Sequence, residues 1–386
     1  MKKLAIIISH PVQYYSPLFK LLALECDLMV YYTAGKEVYN NNFDEGFKQK
    51  IKWDIPLLEG YNYTFAINAA KDPGLHHFYG VQNKKLIKDI KLFNPDAILV
   101  YGWSYYSHLQ IMRHFKGKIP IWFRGDSTLL DQNASLKSFL RKIFLHWVYG
   151  YVDKAFYVGT ANKAYYEAYG LKDNELLFAP HAIDNSRFSE DRLTESRQLR
   201  KNLGLAQEDI LILFAGKFEE KKNPTLLLEA FQILNSPNTH LLFVGNGELE
   251  ANLKSMSQSY ESNANRIHFM NFQNQNQMPV IYQSCDIFCL PSKGPGETWG
   301  LAVNEAMAAG KAILVSNKVG CATDLINSGE NGFIFESQNI KEFVNKLKAL
   351  LDLDLLKLGQ KSKDIIRNWN FENQMICLLE NLNKYL

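Results

Sequence analysis

The sequence has little cysteine and no long apolar run. Its five cysteines are scattered over 386 residues, which excludes a small disulfide-stapled scaffold. No stretch approaches the roughly 20 apolar residues that span a bilayer. The apolar run Leu4–Ile8 is also shorter than the roughly 7–15 residues of a signal-peptide core. We therefore expect a cytosolic protein with reduced thiols.

The sequence also lacks a large excess of either positive or negative charge. The chain carries 43 basic and 40 acidic residues, a net charge of +3, so nothing in its overall charge calls for nucleic acid as a partner. Its 23 glycines and 12 prolines exclude a collagen-like chain. Cys285 and Cys289 have a spacing that metal sites use, but no second Cys or His pair completes a zinc site. We predict that both are small core residues.

The chain is rich in apolar and aromatic residues. Hydrophobic residues make up 47% and aromatic residues 13% of the sequence, which is enough for a sizeable core and argues against extensive disorder. At 386 residues the chain is about twice the length of a usual domain. Two folded domains are therefore the expected organisation.

Continuous apolar runs alternate with helical patterns along the whole chain, as buried parallel strands do in βαβ units. These strand-like runs lie at 4–9, 27–33, 96–102, 120–125, 155–160, 209–216, 240–247, 266–271, 286–292, 311–317 and 332–336. The charged segment 186–205 separates two such series and is the best linker candidate. The pattern predicts an α/β protein with two doubly wound domains, residues 1–185 and 186–365, followed by a helical tail at 366–386.

The stretch 291–317 combines a strand end, a glycine-rich loop and a helix predicted at Leu301–Ala309. The N-terminus of such a helix is a ready anion site. Glu297 and Glu305 would stand about 12 Å apart along a helix axis, too far for the ~5 Å carboxylate pair of a retaining hydrolase. That separation suits two carboxylates that hold hydroxyls at opposite ends of a nucleotide sugar.

This stretch resembles the signature of family-4 glycosyltransferases, the "glycosyl transferases group 1" type, which are retaining enzymes of GT-B fold. The resemblance implies two Rossmann-like domains that face each other across a cleft, with a C-terminal helix crossing back to the N-terminal domain. It also implies that Glu297 meets the sugar hydroxyls and that Glu305 holds the ribose. The backbone around Trp299, Gly300 and Leu301 would cradle the phosphate, and Thr298 would be a further donor-binding residue.

A second element, residues 213–231, is similar to the family's strand-to-helix turn that carries two basic residues. Lys217 and Lys222 fall on those positions, just after Gly216, and the resemblance implies that they neutralise the donor diphosphate. A leaving diphosphate gains negative charge, so fixed cations aimed at it lower the barrier. The loop around Phe272 resembles the part that flanks the nucleobase, although core packing explains this phenylalanine equally well.

The N-terminal half departs from the family pattern. Its first loop, residues 9–17, contains His10 and Gln13 but none of the glycines that often let the backbone approach the donor. A histidine that many members carry after a middle strand is replaced by Arg124 and Asp126. We expect Asp126 to bind or orient an acceptor hydroxyl. Arg124 is expected either to touch a phosphate or to serve as a structural partner of Asp126.

Residues 136–154 form a basic and aromatic helical pattern. Such a helix can lie on an anionic membrane surface. It can equally be an ordinary helix that covers the sheet, with the stems of its basic side chains packed along apolar surface. The sequence leaves both interpretations open.

Together these features predict a retaining hexosyl- or N-acetylhexosaminyltransferase without cofactor or metal. It would move a sugar from a UDP- or GDP-linked donor to a glycan or lipid-linked saccharide, in the biosynthesis of bacterial surface polysaccharide. It would work in the cytosol or on the inner face of the cytoplasmic membrane, with no nucleic acid partner. The alternatives are a non-catalytic glycan-binding or partner subunit of the same fold and a GT-B nucleotide-sugar epimerase.

Overall fold

The computed structural model describes residues 1–40, 43–132, 135–260 and 263–384, which divide into two units. The first unit comprises the described parts of Met1–Asn42, Ile55–His181 and Phe371–Leu386. The second comprises Phe43–Asp54 and the described part of Ala182–Asn370. The chain thus enters the main part of the second unit at Ala182 and leaves it after Asn370, while the sequence predicts boundaries at 185 and 365.

The strands are, in chain order, β1 (Lys3–Ile8), β2 (Asp27–Tyr32), β3 (Phe43–Asp44), β4 (Gln49–Lys50), β5 (Asn62–Phe65), β6 (Ala97–Tyr101), β7 (Ile121–Arg124), β8 (Lys154–Tyr157), β9 (Leu176–Phe178), β10 (Ile210–Ala215), β11 (Thr239–Val244), β12 (Ile267–Met270), β13 (Ile287–Leu290), β14 (Ala312–Ser316) and β15 (Gly332–Phe335). The α-helices are α1 (Ser16–Glu25), α2 (Lys36–Asn40), α3 (Leu86–Phe93), α4 (Tyr106–Phe115), α5 (Leu136–Tyr149), α6 (Thr160–Ala168), α7 (Asn185–Ser189), α8 (Leu193–Asn202), α9 (Pro224–Leu234), α10 (Glu250–Ser259), α11 (Met278–Ser284), α12 (Leu301–Ala308), α13 (Ala322–Leu325), α14 (Ile340–Leu351), α15 (Leu355–Ile366) and α16 (Phe371–Lys384).

The first unit is built on a seven-stranded parallel sheet in the order β5-β2-β1-β6-β7-β8-β9. Its central strands are the apolar runs of the sequence, and β6 is buried along its whole length, as expected where helices cover both faces. The C-terminal helix α16 packs against α1 within this unit. The prediction that the last helix returns to the N-terminal unit is confirmed.

The second unit is built on a six-stranded parallel sheet in the order β12-β11-β10-β13-β14-β15. The strand order reverses between β10 and β13, because the chain first adds strands on one side of β10 and then on the other. Open α/β sheets bind ligands beyond the carboxyl ends of the strands at such a switch point. The predicted fold class, two doubly wound parallel sheets, is therefore confirmed.

The predicted linker 186–205 is wrong, because most of this segment is helical. It contains most of α7 and the whole of α8, and α8 packs against α11. The Arg200 guanidinium donates hydrogen bonds to the Ser284 carbonyl and to the Asp286 carboxylate, both at 2.9 Å. The charged residues that suggest a linker thus form one face of a packed helix.

The structure agrees with the prediction that two of the cysteines are core residues. Cys285 and Cys289 are both fully buried, and burial raises the pKa of the Cys285 thiol to about 12. Among the described residues, no helix combines the length and the apolar character needed to cross a membrane.

Candidate functional site

The predicted donor-binding residues gather at the switch point of the second sheet. Gly216 and Lys217 directly follow β10, and Glu297 lies in the loop between β13 and α12. The helix α9 begins at Pro224, whose fixed φ suits the first helical position, and Lys222 closes the 3-10 turn before it. Two loops from neighbouring strands thereby bring both predicted lysines and the first predicted glutamate to one edge of the sheet.

Lys222 and Glu297 form an ion pair. The Lys222 Nζ lies 2.7 Å from the Glu297 Oε2, and the two side chains are only 16% and 9% exposed. The Ser292 hydroxyl donates a further hydrogen bond of 3.1 Å to the same oxygen. The stem of Lys222 passes over Gly216, where a Cβ would stand 3.4 Å from the Lys222 Cδ. A charged pair with little solvent around it is thus fixed beside the sheet.

The backbone of the Glu297 loop is held by the loop that follows β14. The Gly320 N–H donates to the Glu297 carbonyl at 3.0 Å, and the Cys321 N–H donates to the Trp299 carbonyl at 2.9 Å. A Cβ at position 320 would come within 1.8 Å of the Thr298 carbonyl oxygen, so only glycine allows this approach. The sequence carries no signal for Gly320, because the contact is between distant segments.

Trp299 stabilises the first turn of α12. Its buried indole Nε1 donates to the Asn304 Oδ1 at 2.9 Å, and its ring packs against Trp369 with centroids 5.1 Å apart. Gly300 adopts a φ of 96° and precedes Leu301, the first helical residue. The first N–H groups of a helix have no acceptor within the helix, so this turn is suited to an anion. Trp299 can therefore offer its backbone, while its side chain is engaged in packing.

Glu305 lies on α12 and is 4% exposed. The hydroxyl of Tyr282, from α11, donates a hydrogen bond of 2.8 Å to the Glu305 Oε2. This hydrogen bond orients the Glu305 carboxylate, whose burial without a partner would be strongly unfavourable. Nothing in the sequence singles out Tyr282, which stands 23 residues before its partner.

Lys217 is in contact with the β3–β4 hairpin, a feature that the sequence does not predict. Its Nζ lies 2.8 Å from the Asp44 Oδ1 and 5.2 Å from the centre of the Phe47 ring. Phe47 in turn packs against Phe272 with ring centroids 4.8 Å apart. Burial alone would raise the pKa of Asp44, but hydrogen bonds from Lys217 and from the backbone of Phe47 and Gly46 lower it below its usual value.

The Gly245-x-Gly247 turn packs against the loop that carries Lys217. A Cβ at Gly245 would lie 2.0 Å from the Gly216 carbonyl oxygen, and one at Gly247 would lie 2.5 Å from the Phe218 carbonyl oxygen. The two glycines therefore allow the loops after β10 and β11 to touch. A packing role therefore explains both glycines.

In the first unit, the predicted acceptor-side residues follow β1 and β7. His10 and Gln13 lie in the loop after β1, and Asp126 lies two residues beyond β7. The His10 Nδ1 is 2.9 Å from the Ser9 hydroxyl, and burial lowers the pKa of His10. Burial also raises the pKa of Tyr15, and the nearby negative charge of Asp126 adds to that rise.

Arg124 is 2% exposed. Its guanidinium donates hydrogen bonds to the carbonyls of Ala179 at 2.9 Å, Pro180 at 3.2 Å and Phe156 at 3.3 Å. The Gln374 amide oxygen, when turned toward it, accepts at 2.7 Å from Nη2. These contacts tie α16 and the ends of β8 and β9 together. They give Arg124 a structural role through backbone carbonyls and Gln374, whereas the two predicted roles, a phosphate contact and a pair with Asp126, stay predictions.

Among the described residues, one group of three potential metal ligands occurs, in the first unit. The Nε2 atoms of His76 and His77 lie 3.7 and 3.3 Å from the Oδ2 of Asp72, which precedes both histidines in the same loop. His76 and Asp72 are largely exposed. We interpret the contacts as surface pairs, which contribute little to stability.

Comparison with known proteins agrees with this geometry. Residues 195–369 match the protein family described as Glycosyl transferases group 1. An uncharacterized glycosyltransferase of Haemophilus influenzae is 32% identical over 178 residues, which cover 45% of this chain and 49% of that protein. The UDP-Gal:alpha-D-GlcNAc-diphosphoundecaprenol alpha-1,3-galactosyltransferase of Escherichia coli is 29% identical over 187 residues, 47% of each chain.

The chain therefore spans about half the length of these curated relatives. The structural similarity covers more of the chain than these sequence matches do. The crystal structure of Anabaena Alr3699/HepE in complex with UDP matches the whole of both chains with a TM-score of 0.76 at 17% identity. The two proteins share the GT-B fold.

Proposed function

We propose that the chain, whose residues 195–369 match the glycosyl transferases group 1 family, is a retaining glycosyltransferase. Its donor is a nucleotide sugar bound at the switch point of the second sheet. The single observation that carries the proposal is the ion pair of Lys222 and Glu297. It brings together, from separate loops, a cation for the diphosphate and a carboxylate for the sugar.

The chemistry follows from the positions of the charges. As the bond between the sugar and the diphosphate breaks, the negative charge grows on the leaving oxygen, where Lys222 and Lys217 stabilise it. The N-terminus of α12 at Leu301 adds its positive end. Glu297 accepts hydrogen bonds from the sugar, and Glu305 from the ribose. The acceptor hydroxyl attacks from the face that the diphosphate leaves, and a departing phosphate oxygen takes its proton.

The reaction is proposed to need no metal. Two lysines and a helix N-terminus already supply the positive charge that a divalent cation would bring to the diphosphate. Because Gly216 has no side chain, the stem of Lys222 can pass over it. The backbone of residues 298–301 offers N–H groups to the phosphates. Phe272 is proposed to flank the nucleobase.

The acceptor is proposed to be a glycan or a lipid-linked saccharide. The Escherichia coli relative acts, by its name, on a diphosphoundecaprenol-linked sugar, and this supports an acceptor of the same class and a role in surface polysaccharide biosynthesis. UDP is the nucleotide bound by Alr3699/HepE, which supports a UDP-linked hexose or N-acetylhexosamine as donor. Asp126, with His10 and Gln13, is the proposed acceptor side.

A nucleotide screen tests the proposal. We expect UDP or GDP, alone or as the nucleotide sugar, to raise the melting temperature while CMP does not, since a ligand stabilises the folded state by about 2.7 kcal/mol at a hundredfold excess over Kd. Turnover of the donor without any acceptor would favour the epimerase alternative. Glycan binding without any nucleotide effect would favour the non-catalytic subunit and contradict the proposal.

A peripheral contact with an anionic membrane is proposed for α5. A helix that covers a sheet buries its apolar residues, yet α5 buries only Leu145, Val148 and Tyr149. Its large apolar side chains recur every three or four residues and are exposed: Leu136, Phe139, Leu140, Ile143, Phe144 and Trp147. The helix has no acidic residue, and its basic residues are Lys137, Arg141 and Lys142. This pattern is typical of helices that lie in the interface of anionic membranes.

We expect the protein to sediment with phosphatidylglycerol vesicles and much less with phosphatidylcholine vesicles. Replacing all three basic residues of α5 by glutamine should weaken binding about 150-fold, from roughly 1 kcal/mol per basic residue. The matched control neutralises Lys357, Lys361 and Lys363 on α15 and should bind as the wild type does. Equal loss in both triple variants would contradict a specific role for α5.

A further inference from the structure

The β3–β4 hairpin belongs to the second unit, although the chain on both sides of it belongs to the first. The segment Phe43–Asp54 leaves the first unit after α2 and returns to it at Ile55. Its two strands contribute only two residues each. Such a short hairpin is not stable by itself, so its position depends on what it contacts.

One end of the hairpin is tied to Lys217 by Asp44. The carboxylate of Asp44 accepts hydrogen bonds from the N–H groups of Gly46 at 2.9 Å and Phe47 at 3.0 Å, and it pairs with the Lys217 Nζ at 2.8 Å. The two side chains of the pair are 31% and 30% exposed. The turn therefore presents a fixed negative charge to a lysine of the proposed donor site.

The other end is tied to the loop after β12. The Asn276 N–H donates to the Asp54 carboxylate at 3.1 Å, and the Asn276 side chain donates to the Asp54 carbonyl at 3.2 Å. The Asn274 side chain donates to the Lys52 carbonyl at 2.6 Å. This loop also carries Phe272, the residue proposed to flank the nucleobase.

Aromatic contacts join the two ends. The ring of Phe272 packs against Phe47, with centroids 4.8 Å apart, and against Trp53, with centroids 6.3 Å apart. All three rings are half-buried. The hairpin thus spans from the lysine assigned to the diphosphate to the loop assigned to the base.

We infer that Asp44, on the hairpin Phe43–Asp54, is a further part of the donor site, where it positions Lys217 and is displaced from it by the diphosphate of the donor. The inference rests on the proposed function, because it takes Lys217 as a diphosphate ligand. No covalent step is involved. One anion replaces another on the same ammonium group, while the contacts at Asp54 and Phe272 keep the hairpin attached.

The exchange follows from simple electrostatics. A diphosphate carries more negative charge than one carboxylate, and it meets Lys222 and the start of α12 as well as Lys217. Among the described residues, Asp44 contacts one cation, Lys217, and two N–H groups. Asp44 therefore acts as a built-in competitor that lowers donor affinity and keeps Lys217 in position while no donor is bound.

The test compares Asp44→Asn with Glu45→Gln by calorimetric titration with UDP and GDP. Both changes remove one negative charge from the same hairpin, but Glu45 is exposed and lies outside the pair. Because exposed ion pairs contribute about 0.2–1 kcal/mol, we expect Asp44→Asn to bind the nucleotide about 1.4- to fivefold more tightly. Glu45→Gln should bind as the wild type does.

The same substitution made in the Lys217→Ala variant tests whether Asp44 acts through Lys217. There, Asp44→Asn should no longer tighten binding, because the cation that both anions share is gone. Tighter binding that persists in this background, or a Kd unchanged or raised by Asp44→Asn alone, would overturn the displacement. If the wild type and all variants bind neither nucleotide, the proposed function itself fails, and the two failures are thus distinguishable.

Discussion

Replacing Lys222 by alanine is expected to lower the rate of sugar transfer about 10²- to 10³-fold. This is the usual effect of removing one group that stabilises charge developing in a transition state. The side chain lies against Glu297 and is only 16% exposed, so water can replace its charge only in part. The measurement is the turnover rate at saturating donor with the acceptor that the screen identifies.

Alanine also leaves the Glu297 carboxylate without its cation, which can destabilise the fold. Lys222→Gln is therefore the second variant, since its amide can still donate to Glu297 but carries no charge. The matched control is Lys221→Ala, the adjacent lysine, which pairs with Glu219 at 3.3 Å and should retain the wild-type rate. EDTA should not change that rate. A folded Lys222→Gln variant with wild-type turnover would exclude Lys222 from the chemistry.

Most of the fold can be predicted from the sequence, because the central strands and the helices carry strong patterns. The helix predicted at Leu301–Ala309 is observed as α12, Leu301–Ala308. The predicted strands of both sheets differ from the observed ones by at most three residues at either end. Within the two large sheets, the strands that escape prediction are β5 and β9, which have four and three residues and lie at the two edges of the first sheet. The two-residue strands β3 and β4 escape it as well. Short edge strands have too few buried positions to form a pattern.

The site could be predicted only where its residues sit within one local motif. Lys217, Lys222, Glu297 and Glu305 lie in two local stretches that resemble the family's motifs. Ser292 is in one of these stretches, five residues before Glu297, but the other partners come from elsewhere in the chain: Tyr282, Gly320 and Asp44. Whether two distant segments touch depends on strand order and on packing between loops, which no local spacing encodes. The sequence thus predicts the groups that would act on the donor but not those that position them.

Replacing Glu305 by glutamine is expected to weaken the binding of the preferred nucleoside diphosphate about 10- to 150-fold. That range corresponds to the loss of a hydrogen bond to a charged group, about 1.5–3 kcal/mol. Glutamine has the same shape, and its amide oxygen can still accept the hydrogen bond from Tyr282, so the packing of α11 against α12 should survive. What it lacks is the negative charge and the second acceptor for the ribose hydroxyls.

The ribose assignment is tested by comparing two ligands on the same variant with isothermal titration. Inorganic pyrophosphate has no ribose and should bind Glu305→Gln and the wild type equally well, whereas UDP or GDP should bind the variant far more weakly. Tyr282→Phe removes the hydroxyl that orients Glu305 and should give a smaller loss, confined to the nucleotide as well. An equal loss for pyrophosphate would mean that Glu305 supports the α12 helix and its phosphate-binding turn rather than the ribose.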